Sequence, residues 1–354
     1  MSDPVSGLRP FVLVTRGSIV ESVHFGAAAV VDVHGKVLAH AGDVGRIVAT
    51  RSCVKTFQAL ELMERVGPGI YEDSSPAIAL LCASHSGEPK HAQTAAWMLS
   101  KIGLGEGDLR CGVHALTSPV AIDALAGASP TQLHNNCSGK HAGMLALAQH
   151  LGASLDDYTE VDHPVQIAAW KNVAAMAGMD PERVLRARDG CSAVTFGLPM
   201  RALAQAAARL ADPEGGALSD VRAAACERLM RAIREAPEHA GGSRHLDTSL
   251  MRATGGRLYS KVGAEALHLV AVPRARSPWS TGVGIVVKLV DGLAERARAA
   301  VMIDVLCKLG LLSAAERDGL GEAGLDDRVI RNHRGLEVGA IRVVAELDGA
   351  PGEC

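Results

Sequence analysis

RSCVKTFQAL, residues 51–60, sets a serine three places before a lysine, Ser52 and Lys55, at the head of an apolar pattern. Val54, Phe57, Leu60 and Met63 recur at helical spacing through residues 53–66, which predicts a helix. Positions three apart share a helix face, so Ser52 and Lys55 would look the same way. The bland reading is an N-cap, a common job for a serine at a helix start. The sharper reading is a serine nucleophile with lysine as its base. A hydroxyl attacks well only when its proton is taken, and lysine takes it only when neutral. Action at pH 7 needs a pKa about 3 below the ordinary value near 10.4, a cost of ~4 kcal/mol. Burial and a second nearby cation both push that way.

Strand patterns lie on either side of this helix. PFVLVTRG (10–17) is an edge strand at best, because Pro10 opens it. AAAVVDVHGKVLAHAG (27–42) reads as a hairpin about a His-Gly-Lys turn. Strands return in LHLVAVP (267–273), GVGIVVKLVDG (282–292) and GAIRVVAEL (339–347), with an amphipathic helix from Leu293 to about Gly310 among them. The middle is helical: KHAGMLALAQHLG closes at Gly152, HPVQIAAWKNVAAMAGM opens at Pro164 and closes near Gly178, and Ala/Arg-rich helices cover 199–212 and 218–236. GGSRH (241–245) reads as an ordinary loop. The expectation is one α/β catalytic domain over 1–354. Its mostly antiparallel sheet is built from both termini, about 9–42 and 256–348, around a helical region of about 52–255.

The totals agree with a globular enzyme. The chain has 354 residues, 48% hydrophobic and 21% charged, enough for a buried core. Only 3% are aromatic, so Ala, Val, Leu and Ile must build that core. A net charge of -3 argues against a nucleic-acid binder or a basic membrane-surface protein. No run spans a bilayer and MSDPVSGLRP has no signal pattern, so a soluble, cytoplasmic protein is expected. The eight cysteines (53, 82, 111, 137, 191, 226, 307, 354) include no CxxC pair and are expected to be mostly reduced and buried.

Two further segments bear on the serine–lysine reading. CASHSGEP (82–89) holds Ser84 and Glu88, and LYSKVGAEA (258–266) holds Lys261, the available second cation. SxxK, then a serine-rich turn, then Lys-x-Gly resembles the signature set of β-lactamases and penicillin-binding proteins. That set has Ser-Asp-Asn where Ser84-His85-Ser86 stands here, and a hydroxyl residue where Val262 stands.

HNNCSGKHAGML (134–145) admits three chemistries. A phosphate loop is rejected, because His141 follows Lys140 and no glycine stands at 134. Cys137 and His141 lie four apart on one helical face, and RDGCSAVTFGLPM (188–200) adds Cys191 with Asp189 before it. Two cysteines and a nitrogen make an open zinc site; the structural alternative is two free buried thiols. Third, a helix start and a nearby lysine would lower the Cys137 pKa and make it a nucleophile.

RSCVKTFQ, ASHSGEPKH, LHNNCSGKHAGML, DGCSAVTFGLPM and SKVGAEA, in this order, resemble the rhizobial-type L-asparaginases, once grouped as asparaginase II. The resemblance runs from RGSIVESVHFG (16–26) to the C-terminal strands. It implies a serine-β-lactamase-like fold, a homodimer, and hydrolysis of L-asparagine to aspartate and ammonia. It matches Ser52 and Lys55 to the family's first Ser–Lys tandem and Ser84 and Lys261 to its second. It matches Cys137, Lys140 and Cys191 to the zinc ligands, with Asp189 beside the metal. Lysine is an unusual ligand, since it binds metal only as the neutral amine. The mechanism expected is acyl transfer: Ser52, activated by neutral Lys55, attacks the side-chain amide, ammonia leaves, and water cleaves the aspartyl ester, while Ser84 and Lys261 relay protons or hold Lys55 neutral; which of the two serines attacks is left open by the sequence. Backbone N–H groups near the helix start would hold the oxyanion.

The substrate is a zwitterion, so its carboxylate calls for a cation such as Arg51 or Arg46. Its ammonium calls for a carboxylate such as Glu21, Glu88 or Asp189. His24, His85, His114, His134 and His141 read as hydrogen-bonded structural groups. The rivals are a glutaminase, a β-lactamase-like or peptidase-like hydrolase, a Cys137 thiol enzyme, and a zinc scaffold without catalysis.

Overall fold

The computed structural model describes residues 6–291, 295–326 and 328–350. The chain clusters into two compact units. One joins Met1–Val48, Pro199–Gly216 and Ala253–Cys354; the other joins Ala49–Leu198 and Ala217–Arg252.

The first unit is a sheet with helices. Its strands are β1 (Arg9–Arg16), β2 (Ile19–Asp32), β3 (Val37–Ala41), β7 (Tyr259–Gly263), β8 (Leu267–Val272), β9 (Val283–Leu289), β10 (Val329–Arg331) and β11 (Glu337–Val343), and the chain leaves it through β4 (Ile47–Ala49). The order is β10-β11-β1-β2-β9-β8-β7, with β3 also on β2, and every pairing is antiparallel. Both termini therefore build the sheet, as the sequence predicts.

The expected hairpin is β2–β3, turning at Gly35 with φ +87. The side chain of Asp32 caps this turn by accepting the His34 and Lys36 N–H groups. Ala27 to Val31 are wholly buried beside the equally buried Val286 and Val287. Helix α7 (Met200–Ala211) packs on β2, β8 and β9. A Cβ on Gly284 of β9 would stand 1.8 Å from the Ala204 carbonyl oxygen, so that close packing needs glycine there.

Two expectations are corrected. The PFVLVTRG strand is not an edge: β1 lies between β11 and β2. Pro10 is tolerated because the β1–β11 register begins only at Val12, leaving no ladder bond there for its missing N–H. Residues 199–212 are helical but join the sheet unit, not the helical middle, because the apolar face of α7 covers the sheet. The helix expected from Leu293 is α11 (Glu295–Lys308); Leu293 itself lies outside the described residues. Helix α12 (Ala314–Glu322) follows it.

The second unit holds α1 (Lys55–Arg65), α2 (Ser75–Leu81), α3 (Pro89–Lys101), α4 (Pro119–Leu125), α5 (Ser138–His150), α6 (Pro164–Met176), α8 (Asp220–Glu235), α9 (Pro237–Ala240) and α10 (Leu246–Ala253). Between α6 and α8 runs a hairpin, β5 (Leu185–Arg188) with β6 (Val194–Pro199). Ser138 to Ala148 of α5 are all buried, so this helix is a central post. Gly139 and Gly143 let it seat against α2: added Cβ atoms would stand 2.4 Å from the Leu80 carbonyl oxygen and 2.5 Å from a Leu81 methyl. No helix among the described residues is long and apolar enough to cross a membrane.

Candidate active site

The helical unit brings together Arg51, Ser52, Lys55, Ser84, Cys137, Lys140, Asp189 and Cys191. The approach to Ser52 is pinned from behind. Thr50 is fully buried; its N–H and hydroxyl donate to the Phe196 carbonyl at 2.8 and 3.0 Å, and it accepts the Phe196 N–H at 3.3 Å. Arg51 then takes φ +46, a left-handed conformation that costs a side-chain residue about 1 kcal/mol. Its N–H donates to Thr195 Oγ1 at 3.1 Å and its Nε to Asp189 Oδ1 at 2.8 Å. Residues 51–54 form a 3-10 turn before α1.

Ser52 is half-buried in this turn, and Val54 occupies the N-cap position of α1. The N-cap reading of Ser52 is therefore set aside. Neither its N–H nor its hydroxyl has a hydrogen-bond partner among the described residues.

Lys55 is 1% exposed. Its Nζ donates to the Ala83 carbonyl at 2.5 Å and the Asn136 carbonyl at 3.2 Å, and lies 3.1 Å from Ser84 Oγ. The amine thus pairs with the serine of the other tandem. Lys261 belongs to the sheet unit, 2% exposed on β7 opposite Leu269.

The Ser84 loop is strapped to residues 240–243, where the sequence predicts an ordinary loop. Ser84 N–H donates to Ala240 O at 3.2 Å and Ser86 N–H to Gly241 O at 2.8 Å. Glu88 completes the strap: its Oε1 accepts the Ser243 N–H at 2.9 Å and hydroxyl at 2.8 Å, and it pairs with Lys90. Burial alone would raise the Glu88 carboxyl, but Ser243 and Lys90 bring it below the usual range. The Gly-Gly at 241–242 was the available signal: a Cβ on Gly242 would meet Ser86 Oγ at 2.3 Å.

Each of the five histidines makes at least one hydrogen bond. His85 accepts the Gly87 N–H on Nδ1, so its Nε2 carries the proton given to Ser138 Oγ at 2.9 Å. His24 meets Asp291 and Arg296, His114 the Asn136 N–H, His134 Thr131, and His141 the Tyr158 hydroxyl.

Cys137, Lys140 and Cys191 converge. Cys137 precedes α5, Lys140 lies in its first turn, and Cys191 sits in the β5–β6 turn. Lys140 Nζ donates to Cys191 Sγ at 3.0 Å; Cys137 is hydrogen-bonded to Cys191, with its Sγ 3.1 Å from Asn136 Oδ1. All three are 5% exposed. The hydrogen bond from Cys137, helped by Lys140, holds Cys191 down at about 4 against the opposing effect of burial. The same bond, with burial, pushes Cys137 up to about 12. The two thiols are thus shifted in opposite directions, Cys137 up and Cys191 down, against the expected lowering of Cys137.

Burial would lower the Lys140 amine, but the two sulfurs and Asp189 outweigh it and raise it. Asp189, which burial would raise, is held low by the Gly190 N–H, Lys140 and Arg51. Among the described residues no group of three His, Cys, Asp or Glu is placed to hold a metal ion; the third donor beside the two cysteines here is an amine. Two thiolates and a neutral amine nevertheless fit zinc chemically. The cysteines from 53 to 307 are free of disulfides, and Cys354 lies outside the described residues.

A buried amine at hydrogen-bonding distance from one serine, with a second serine unengaged nearby, is the equipment of an acyl-transfer hydrolase. The sequence pattern of the L-asparaginase II family matches residues 12–343. The chain belongs to that family and is an amidohydrolase. No curated protein matches the chain. Solved structures show distant likeness. An Mglu structure (15% identity, TM-score 0.45) matches over 81% of this chain and 67% of its own. Mglu in its tris and glutamate form (15%, 0.46) matches over 86% and 63%. A covalent complex of the Bacillus subtilis glutaminase YbgJ with 5-oxo-L-norleucine (14%, 0.36) matches over 75% and 81%.

Proposed function

We propose that the protein hydrolyses L-asparagine to L-aspartate and ammonia by serine acyl transfer. The observation that carries this is Lys55: a buried amine whose hydrogen-bond partners among the described residues are two carbonyls and a serine hydroxyl, one helical turn after a serine whose hydroxyl has no partner among those residues. Ser52 attacks the side-chain amide carbon. Its proton reaches neutral Lys55 by way of Ser84 and is passed to the leaving ammonia. The unspent Ser52 N–H is one donor for the oxyanion. Water then cleaves the ester by the same route in reverse. Lys261 is assigned to this machinery by family resemblance.

Arg51 and Asp189 are paired to each other beside Ser52, and with Glu88 they are the candidate groups for the zwitterion. Glu88 is already engaged by Ser243 and Lys90, which leaves Asp189 as the better partner for the substrate ammonium. Cys137, Lys140 and Cys191 hold zinc. When bound, the metal supplies positive charge that fixes this corner and helps keep nearby amines neutral. The active species is a homodimer.

Ammonia release tests the reading. With L-asparagine at pH 8 the protein is expected to release it well above the rate with L-glutamine. Equal or greater release from glutamine would move the assignment to a glutaminase, and release from neither would overturn it.

A further inference from the structure

The residue joined to the N-terminal side of Ser52 has a backbone that must be held. Arg51 has φ +46. A side-chain residue keeps that left-handed conformation only where its surroundings fix it, and such residues gather at functional sites. Arg51 is bonded directly to Ser52, so its φ sets how the chain enters the 51–54 turn. The turn then relates Ser52 to Lys55. The Ser52 carbonyl accepts the Lys55 N–H, and the Thr50 carbonyl accepts the Cys53 N–H at 3.0 Å.

The Arg51 N–H has one acceptor among the described residues, Thr195 Oγ1 at 3.1 Å. Thr195 is 5% exposed on β6, in register with Ala187 of β5. Its hydroxyl stands 3.5 Å from Thr50 Oγ1. Thr50 gives its own proton to the Phe196 carbonyl and accepts the Phe196 N–H. The proton between the two hydroxyls is therefore Thr195's, which leaves a Thr195 lone pair facing Arg51. A strand side chain thus presents a fixed acceptor to the strained residue.

We propose that Thr195 is a positioning residue for the acyl transfer: its hydroxyl holds Arg51 in the left-handed conformation and so aims Ser52. This deepens the reading above and rests on its choice of Ser52 as the nucleophile. Without the acceptor, Arg51 relaxes towards the right-handed and extended regions open to any side-chain residue. Ser52 turns with it. Lys55 stays with the Ala83 and Asn136 carbonyls, which do not depend on Thr195. A reacting atom misplaced by about 1 Å can cost about 100-fold in rate. The Arg51 side chain keeps its pairing with Asp189, so substrate binding changes less than turnover.

The test compares Thr195→Val, which keeps the shape and removes the hydroxyl, with Thr195→Ser, which keeps the hydroxyl and removes a methyl. Steady-state kinetics on L-asparagine are read beside thermal melting. The expected result is a fall in kcat of about 10- to 100-fold in the valine variant, with a smaller change in KM, and a kcat within about threefold of the unaltered protein in the serine variant. Packing alone would give the reverse order, with serine the worse, and that order would overturn the assignment. So would a valine variant with kcat within threefold, or one with raised KM alone. Should Thr195→Val not fold, Thr195→Ala against Thr195→Ser puts the same question, since both lack the methyl. A second comparison uses Arg51→Gly, because glycine takes a positive φ unaided. In that background Thr195→Val should cost less than about threefold in kcat at saturating asparagine; an undiminished loss would mean that the hydroxyl does not act through Arg51. If the unaltered protein releases no ammonia from either amide, the reading beneath fails and this assignment fails with it. Ammonia release by the unaltered protein, with normal turnover in Thr195→Val, removes the assignment alone.

Discussion

The start of α1 and the start of α5 each bury a lysine almost completely, and the two lysines are prepared for different work. Lys55 hydrogen-bonds only to uncharged oxygens: two carbonyls and a hydroxyl. Lys140 faces Cys191, with Cys137 and Asp189 close by, and their charge holds its proton on. Burial of a cation is costly unless it is paired. At α5 the pairing is with sulfur and carboxylate, and only a metal taking the proton's place would release the amine. At α1 the hydrogen-bond partners among the described residues are uncharged. One residue type at one degree of burial thus meets uncharged oxygens in one place and sulfur and carboxylate in the other.

The largest effect should come from α1. Lys55→Met should lower kcat by about 1000-fold or more, while leaving the fold intact, because a methionine fills the space without a buried charge. Turnover within tenfold would break the contrast between the two lysines. At α5, Lys140→Met should weaken zinc binding by about 100-fold, measured by competition with a chromogenic chelator, with a smaller loss of activity than at Lys55. Normal zinc binding would remove Lys140 from the ligand set.

Acid should act on stability through His91. Both its ring nitrogens are spent, accepting from the Glu88 N–H and meeting the Glu238 carbonyl, and burial lowers its pKa to about 4. The unfolded value is near 6.5, so between these values the unfolded chain binds more protons. The contribution is complete above about pH 6.5 and is lost as pH falls towards 4, amounting to about 3 kcal/mol. Urea melts across that range should show the slope, and His91→Gln should flatten it. An unchanged slope would assign acid sensitivity elsewhere. The smallest effect is Gly139→Ala, where a methyl pressed on the Leu80 carbonyl should cost about 2 kcal/mol. A neutral result would mean that α5 can slide from α2 without cost.

The sheet was legible because its strands carry their own signals. Ala27 to Val31 and the GVGIVVKL run are apolar without interruption and end in turn residues. Pro10 misled because a proline excludes a residue from a ladder bond, whereas the partner strand begins two residues later. The helices were legible from spacing and from Pro164, Gly152 and Gly178. The residues of the site were legible as motifs, but their pairing was not. SxxK spacing pairs Lys55 with Ser52, while the tertiary structure turns the amine to Ser84, because the Ala83 and Asn136 carbonyls fix its direction. Backbone carbonyls have no identity in a sequence, so that cage could not be read. The Cys137 pKa was misjudged for a related reason. A helix start and a lysine argue for a lowered thiol, but which of two bonded thiols is lowered depends on which one sits against the lysine, and that is Cys191.

The most direct test of the account is to find the serine that carries the acyl group. The protein is mixed with L-asparagine, quenched in acid within a single turnover, digested, and its peptides weighed. The account predicts a mass gain of one aspartyl group on the peptide containing Ser52, absent in Ser52→Ala and lost on treatment with mild base. The same gain on the Ser84 or Cys137 peptide, or ammonia release with no acylated peptide at any time, would contradict it.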